Sequence, residues 1–129
     1  MRYLGIDYGT KKIGLAIGDD ETRIATPLEI VDGSDQRQFI TYLNALIKSE
    51  NIQTLIVGIP EFSKELYKAH YEKVKAFSGV IQKNTSIPVI EVDESFTTKE
   101  AGHLLGAGAH GRDDAVSAML LVQQVLDRV

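Results

Sequence analysis

Carboxylates from three distant parts of the chain stand where the sequence pattern predicts that strands end or a helix begins. Asp7 follows the apolar run YLGI, Asp93 and Glu94 follow IPVIEV, and Asp113 and Asp114 precede an amphipathic segment. Because α/β sheets bind ligands outside the carboxyl ends of parallel strands, these groups share one crevice if their strands are parallel. An oxygen-rich site of this kind suits Mg²⁺ or Mn²⁺, and a pair of such cations can activate a water molecule and stabilise the leaving oxygen of a phosphodiester.

Each of these carboxylates also has a purely structural interpretation. An aspartate at a helix start is usually a cap, which accounts for one of Asp113 and Asp114. Asp93 can accept hydrogen bonds from the turn ESFTT that follows it. Asp7 is the hardest to explain structurally, since an ionised group between two buried strands is costly without a partner or a metal.

The elements that must position these residues follow from the spacing of apolar residues and turn residues. Strands are predicted over 3–6 and 13–17, joined by a turn at 9–11, and over 23–31, where Pro27 indicates a sheet edge. Buried parallel strands are predicted for TLIVGIP and IPVIEVD, and Ser34 or Asp35 is expected to cap the first helix. Helical spacing is seen in segments that contain Phe39 to Ile47, Ser63 to Ile81, Thr97 to Leu105 and Asp113 to Asp127.

This order of elements, βββαβαβα with one further helix, predicts an α/β fold with a mixed five-stranded sheet flanked by helices. A chain of 129 residues without repeats or linkers is expected to form a single domain over residues 1–129. The glycine-rich stretch at 106–111 is predicted to be a loop.

Composition narrows the possible functions. The chain has no cysteine, which excludes disulfides and thiolate metal sites, and its net charge of -4 argues against a general nucleic-acid coat protein. A nuclease is compatible with that charge, because bound divalent cations reverse it locally. The sequence shows no signal peptide and no membrane-spanning run, so a cytoplasmic location without a membrane partner is expected.

Four motifs, GIDYGTKKIGLAIGD, VGIP, VDESFTT and DAVSAMLLVQQVLD, together resemble the YqgF family in order and spacing. These are small bacterial proteins related to the RuvC Holliday junction resolvases. They are named as pre-16S rRNA nucleases or as Holliday junction resolvases. The resemblance covers the whole chain and implies a ribonuclease-H-like fold.

The resemblance also implies which residues act. Asp7, Glu94 and Asp114 match the family's carboxylates, and are thereby implied as catalytic residues and ligands of Mg²⁺ or Mn²⁺. Lys11 and Lys12 match its basic pair, near which a substrate phosphate could approach. Arg112 and His110 are the basic groups kept in the loop before the last helix, and His110 could transfer a proton near neutral pH.

The chain departs from the family pattern at three places. Ser95 stands where an arginine commonly follows the DE motif, GIPEFSKEL replaces a polar N-x-D-G loop, and GAGAHGRDD is less basic than usual. All three changes remove groups that would hold nucleic acid.

The expected function is therefore a divalent-metal-dependent endonuclease, a hydrolase of phosphodiester bonds that acts in 5′-end maturation of pre-16S rRNA. The nearest alternative is a Holliday junction resolvase acting on branched DNA, which would need a two-fold dimer, and the expected state is a monomer or a homodimer. A non-catalytic interaction module is a further alternative. Phosphoryl transfer from ATP, which the turn GIDYGT also suggests, would need a second lobe and a longer chain.

Overall fold

The fold is built on one sheet with helices on both faces. The computed structural model describes residues 1–9, 11–60, 68–93 and 113–129. Its strands are β1 (Arg2–Tyr8), β2 (Lys12–Asp19), β3 (Ala25–Asp32), β4 (Thr54–Ile59) and β5 (Val89–Asp93). Its helices are α1 (Gln36–Ser49), α2 (Lys68–Asn84) and α3 (Asp113–Leu126). The predicted helix over 97–105, the loop at 106–111 and the predicted helix start near Ser63 lie outside the described residues.

The strand order in the sheet is β3-β2-β1-β4-β5, with β1 at the centre. The strands β1, β2 and β3 form an antiparallel meander, and β4 and β5 add in parallel beyond β1. The predicted mixed sheet is therefore confirmed. Because β1, β3, β4 and β5 run in the same direction, their carboxyl ends all lie at one edge of the sheet, which we call the carboxyl edge.

Each face of the sheet carries its own apolar cluster. The larger cluster joins one face of β1, β2 and β4 to α1 and α2 through residues such as Leu4, Ile6, Phe39 and Phe77. The second cluster joins the opposite face to α3 through Tyr3, Ala16, Ile56 and the buried side of that helix. Successive side chains of a strand alternate between faces, so every second residue of β1 belongs to the face that α3 covers, the α3 face.

Local sequence features explain several element boundaries. Asp35 is the N-cap of α1, and its carboxylate accepts a hydrogen bond from the Gln38 amide at 3.1 Å, as predicted. Pro27 lies in the edge strand β3, where the pairing register shifts between Leu15 and Ala16. In the described ranges, no helix has the length and apolar content needed to cross a membrane.

Candidate active site

Asp7 lies at the carboxyl edge, one residue before the end of the central strand. It pairs in register with Gly14 of β2, and its side chain is half-buried. Alternation along β1 assigns Asp7 to the same face as Tyr3 and Gly5, the α3 face. The predicted position of this carboxylate, at the end of a buried strand, is confirmed.

The strand that carries Asp93 is parallel to β1, as the sequence required for a shared crevice. The two strands are separated by β4, and therefore lie about 10 Å apart at two strand spacings. Asp93 pairs with Ile59 and, two residues after Glu91, lies on the same face of β5 as that residue, whose carboxylate reaches α2 on the face opposite α3. Asp93 and Asp7 thus share the carboxyl edge but belong to opposite faces, while Glu94 lies outside the described residues.

The last helix crosses the sheet in close contact with two strand glycines. A Cβ on Gly5 would lie 2.5 Å from Cγ2 of Val122 and 2.7 Å from the Ala118 carbonyl oxygen. A Cβ on Gly18 would lie 2.9 Å from Cγ1 of Val122 and 3.1 Å from Cδ1 of Leu126. Only glycine, which has no side chain, permits this approach of helix to strand.

These contacts fix the direction of α3 over β1. Gly18, which pairs with Tyr3 of β1, lies beneath Val122 and Leu126 of the helix. Gly5, two residues further along β1, lies beneath Ala118 and Val122. Two strand residues span about 6.6 Å and one helical turn about 5.4 Å. Two residues beyond Gly5 on β1 is Asp7, and one helical turn before Ala118 is Asp114, whose backbone is helical. The start of the helix therefore lies beside the end of β1 that carries Asp7. The last helix thus packs beside the first strand, with its beginning towards the carboxyl edge.

The β1–β2 hairpin brings the predicted basic pair to the same edge. A Cβ on Gly9 would lie 2.5 Å from the Lys12 carbonyl oxygen, which explains the glycine in this tight turn. Lys11 and Lys12 are both exposed. Lys12 lies two residues before Gly14, the partner of Asp7, and is therefore diagonally opposite Asp7 on the α3 face, within about 7–8 Å.

The remaining predicted site groups lie beyond what the structure describes. Glu94, His110 and Arg112 fall outside the described residues, and Asp113 and Asp114 are described by their helical backbone only. In the described ranges, no three His, Cys, Asp or Glu side chains form a group that could hold a metal ion. The three-carboxylate set of Asp7, Glu94 and Asp114 therefore stays a prediction.

Sequence reasoning missed a polar network that fastens α2 to β5. Glu91 accepts hydrogen bonds from Lys75 Nζ and Ser78 Oγ, both at 2.7 Å, and Ser78 is fully buried. The hydrogen bonds from Lys75 and Ser78 lower the pKa of Glu91, and the hydrogen bond to Glu91 raises the pKa of Lys75. Two features of the sequence could have indicated this network: Ser78 stands next to the apolar residues of α2, and Glu91 stands within an apolar strand.

Ring stacking joins the same helix to the residue after Asp7. The rings of Tyr8 and Phe77 stack with centroids 4.1 Å apart, and Phe39 of α1 meets Phe77 at 5.6 Å. This aromatic contact lies on the face of β1 opposite Asp7 and packs the end of the central strand against α2.

Comparison with known proteins gives consistent matches over nearly the full chain. The family model described as RuvX, Holliday junction resolvase, matches residues 1–128. A relative from Dictyoglomus turgidum is 33% identical over 98% of this chain and 94% of its own length, and one from Rickettsia africae is 30% identical over 98% and 86%. Both carry the provisional name pre-16S rRNA nuclease.

A solved structure of T. thermophilus RuvC in complex with a Holliday junction substrate is similar in fold. Its TM-score is 0.66 with 16% identity, covering 99% of this chain and 95% of that one. This likeness confirms the predicted ribonuclease-H-like sheet with flanking helices.

Proposed function

The chain belongs to the RuvX family, and from that premise we propose that it is a divalent-metal-dependent endonuclease that acts, as a single domain, in 5′-end maturation of pre-16S rRNA. The proposed reaction is hydrolysis of phosphodiester bonds in precursor RNA. Relatives of more than 30% identity that carry the name pre-16S rRNA nuclease support this substrate. A cytoplasmic location is part of the same proposal, since that is where precursor rRNA is processed.

One observation carries the proposal: a half-buried carboxylate at the end of the central strand, with the start of the last helix at the same level. Asp7 and the helical backbone at Asp114 come from opposite ends of the chain. The glycines beneath α3 bring helix and strand into close contact.

The proposed ligands fit a hard divalent cation. All three are carboxylates, whose oxygens Mg²⁺ and Mn²⁺ prefer. We propose Glu94 rather than Asp93 as the third ligand, because Asp93 belongs to the face of the sheet opposite Asp7. Cations bound by these groups would activate a water molecule and stabilise the leaving oxygen of the phosphodiester.

Basic residues near this edge are proposed to hold the substrate. Lys12 is exposed on the face of Asp7, and Lys11 is exposed at the turn of the same hairpin, so both can neutralise phosphates beside the scissile bond. We assign the same role to Arg112. His110 is proposed to approach the scissile phosphate, where its imidazole can move a proton near neutral pH.

The family description favours a second candidate, a Holliday junction resolvase that cuts branched DNA with the same carboxylates. Symmetric cleavage of a four-way junction requires a two-fold dimer, whereas precursor RNA can be cut by a monomer. Oligomeric state therefore separates the two candidates as directly as substrate does.

The proposed function is tested by incubating the full chain with an end-labelled precursor 16S rRNA fragment and with a labelled four-way DNA junction. Each is followed with Mg²⁺, with Mn²⁺ and with EDTA, and the mass of the protein in solution is measured in parallel. We expect cleavage of the RNA that requires the cation. Symmetric cleavage of the junction by a dimer would assign the resolvase instead, and no cleavage of either by a folded protein would favour an interaction module.

A further inference from the structure

A recess opens at the carboxyl edge, on the face of the sheet opposite Asp7. It has a volume of about 340 Å³, and the described residues that line it are Val31, Asp32, Gln38, Phe39 and Tyr42. They come from the end of β3 and the first half of α1. A recess of this volume is large enough for one nucleobase, since small-molecule sites begin at about 300 Å³.

The recess is joined directly to the hairpin that carries the basic pair. The Gly33 amide, next to Asp32, donates a hydrogen bond to the Lys11 carbonyl oxygen at 2.9 Å. A Cβ on Gly33 would lie 3.2 Å from the Gly9 carbonyl oxygen, so the two turns pack closely. The strands β1 and β3 are two spacings apart, about 10 Å, which is about three nucleotides of a stacked strand.

The lining of the recess suits a base. Asp32, which also lines it, pairs in register with Lys12, and its carboxylate accepts two hydrogen bonds from Ser34, at 2.7 and 2.8 Å. The floor is the buried ring of Phe39, and the half-buried ring of Tyr42 provides a surface on which a base can stack.

One polar side chain in the recess can read the edge of a base. Gln38 is exposed and lies four residues before Tyr42, so both side chains project from the same side of α1. A glutamine amide offers one acceptor and two donors, which match the N6 amino group and N7 of adenine in a two-bond contact.

We propose that this recess binds one unpaired base of the RNA, preferentially adenine, with Tyr42 stacking on it and Gln38 reading its edge, while Lys11 and Lys12 hold the adjoining phosphates. The proposal deepens the proposed function and rests on it, since it assumes that RNA crosses the carboxyl edge between the recess and Asp7. It assigns a preference for single-stranded RNA with an unpaired adenine a few nucleotides from the scissile bond.

The test measures binding without cleavage. Two fluorescent single-stranded RNAs, one all uracil and one with a single central adenine, are titrated with the full chain in EDTA and followed by anisotropy. We expect the adenine RNA to bind roughly fivefold or more tightly. Gln38→Ala should abolish that difference, whereas Gln36→Ala, the same change two residues away on the same helix, should retain it.

A second variant tests the stacking surface. Tyr42→Leu keeps an apolar side chain in the core, and its fold is checked by its melting curve. It should weaken binding of both RNAs by roughly fivefold or more, because stacking does not depend on base identity. Equal affinity of the wild type for both RNAs, a preference that survives Gln38→Ala, or unchanged binding by Tyr42→Leu would each overturn the proposal.

The outcome is distinguishable from failure of the proposed function. If the wild type cleaves precursor RNA but shows no base preference, the recess proposal alone fails. If the base preference depends on Gln38 while no substrate is cleaved, the recess proposal holds and the nuclease proposal fails.

Discussion

Replacing Gly5 by alanine should both destabilise the protein and slow cleavage, because the added methyl group would separate α3 from β1. The new Cβ would lie 2.7 Å from the Ala118 carbonyl oxygen. Ordinary van der Waals contact begins at 3.4 Å, so the helix would have to move by 0.7 Å, the difference between 3.4 and 2.7. The Val122 side chain, 2.5 Å away, is fully buried and strongly prefers one rotamer in a helix, and the backbone oxygen moves only with the helix.

The expected loss of stability is about 1–3 kcal/mol, which is typical of an added methylene in a well-packed core. At about 4 °C per kcal/mol for a chain of this size, the melting temperature should fall by roughly 4–12 °C. The rate of cleavage should fall as well, by about 10²-fold if the helix displacement misplaces the catalytic groups by close to 1 Å.

The assay compares melting curves and single-turnover cleavage below both melting temperatures. Gly79→Ala is the matched control, because a Cβ there meets nothing within 4 Å in the middle of α2. That substitution should stabilise the protein by about 0.5–1 kcal/mol and leave the rate of cleavage unchanged. If Gly5→Ala is as stable and as active as the wild type, close contact between α3 and β1 is not what positions Asp114.

Three further predictions concern individual side chains elsewhere in the fold and at the carboxyl edge. Glu91→Gln should lower the free energy of unfolding near neutral pH but not in acid. Because folding lowers the pKa of Glu91, its carboxylate stabilises the protein above the pKa of the unfolded state, and this stabilisation is lost as the pH falls through the pKa of the folded state. Urea titrations at about pH 7 and about pH 3 would measure the difference. A wild-type advantage that persists in acid would show that the charge of Glu91 is not responsible. Gln123→Ala should cost about 1–3 kcal/mol by chemical denaturation, because Gln123 accepts a hydrogen bond from the Ala25 amide at 3.1 Å and donates one to the Arg23 carbonyl at 2.9 Å; an unchanged midpoint would contradict this. Lys12→Gln should reduce the slope of log affinity for RNA against log salt by about 1, as expected for one lost phosphate contact, and an unchanged slope would remove Lys12 from the substrate path.

Much of the fold could be predicted because it is encoded locally. The turn at Gly9, the proline in β3 and the cap at Asp35 each have a conformational cause that acts within a few residues. The mixed sheet then follows, since an antiparallel meander and two β-strands reached through helices leave few possible topologies. The position of Asp7 at a strand end could be predicted for the same reason.

The contacts that were missed depend on residues far apart in the chain. Gly5 and Gly18 lie inside strands, where a glycine can indicate the close approach of another backbone, here that of α3, but the sequence does not say which element approaches. The bond between Ser78 and Glu91 depends on the pairing of a helix with an edge strand. The recess at Gln38 and Tyr42 exists only once α1 packs against the end of β3, and no periodic pattern reports that packing.

Single-turnover cleavage by Asp7→Asn tests the central claim most directly. The substitution keeps the shape of the side chain and removes its charge, and Asp20→Asn applies the same change to an exposed ion pair beyond the opposite end of β2. We predict that Asp7→Asn lowers the rate of metal-dependent RNA cleavage by at least about 10²-fold, with melting temperature and RNA affinity retained, while Asp20→Asn cleaves like the wild type. Cleavage by Asp7→Asn at the wild-type rate would contradict the account, because the carboxylate at the end of the central strand would then have no part in catalysis.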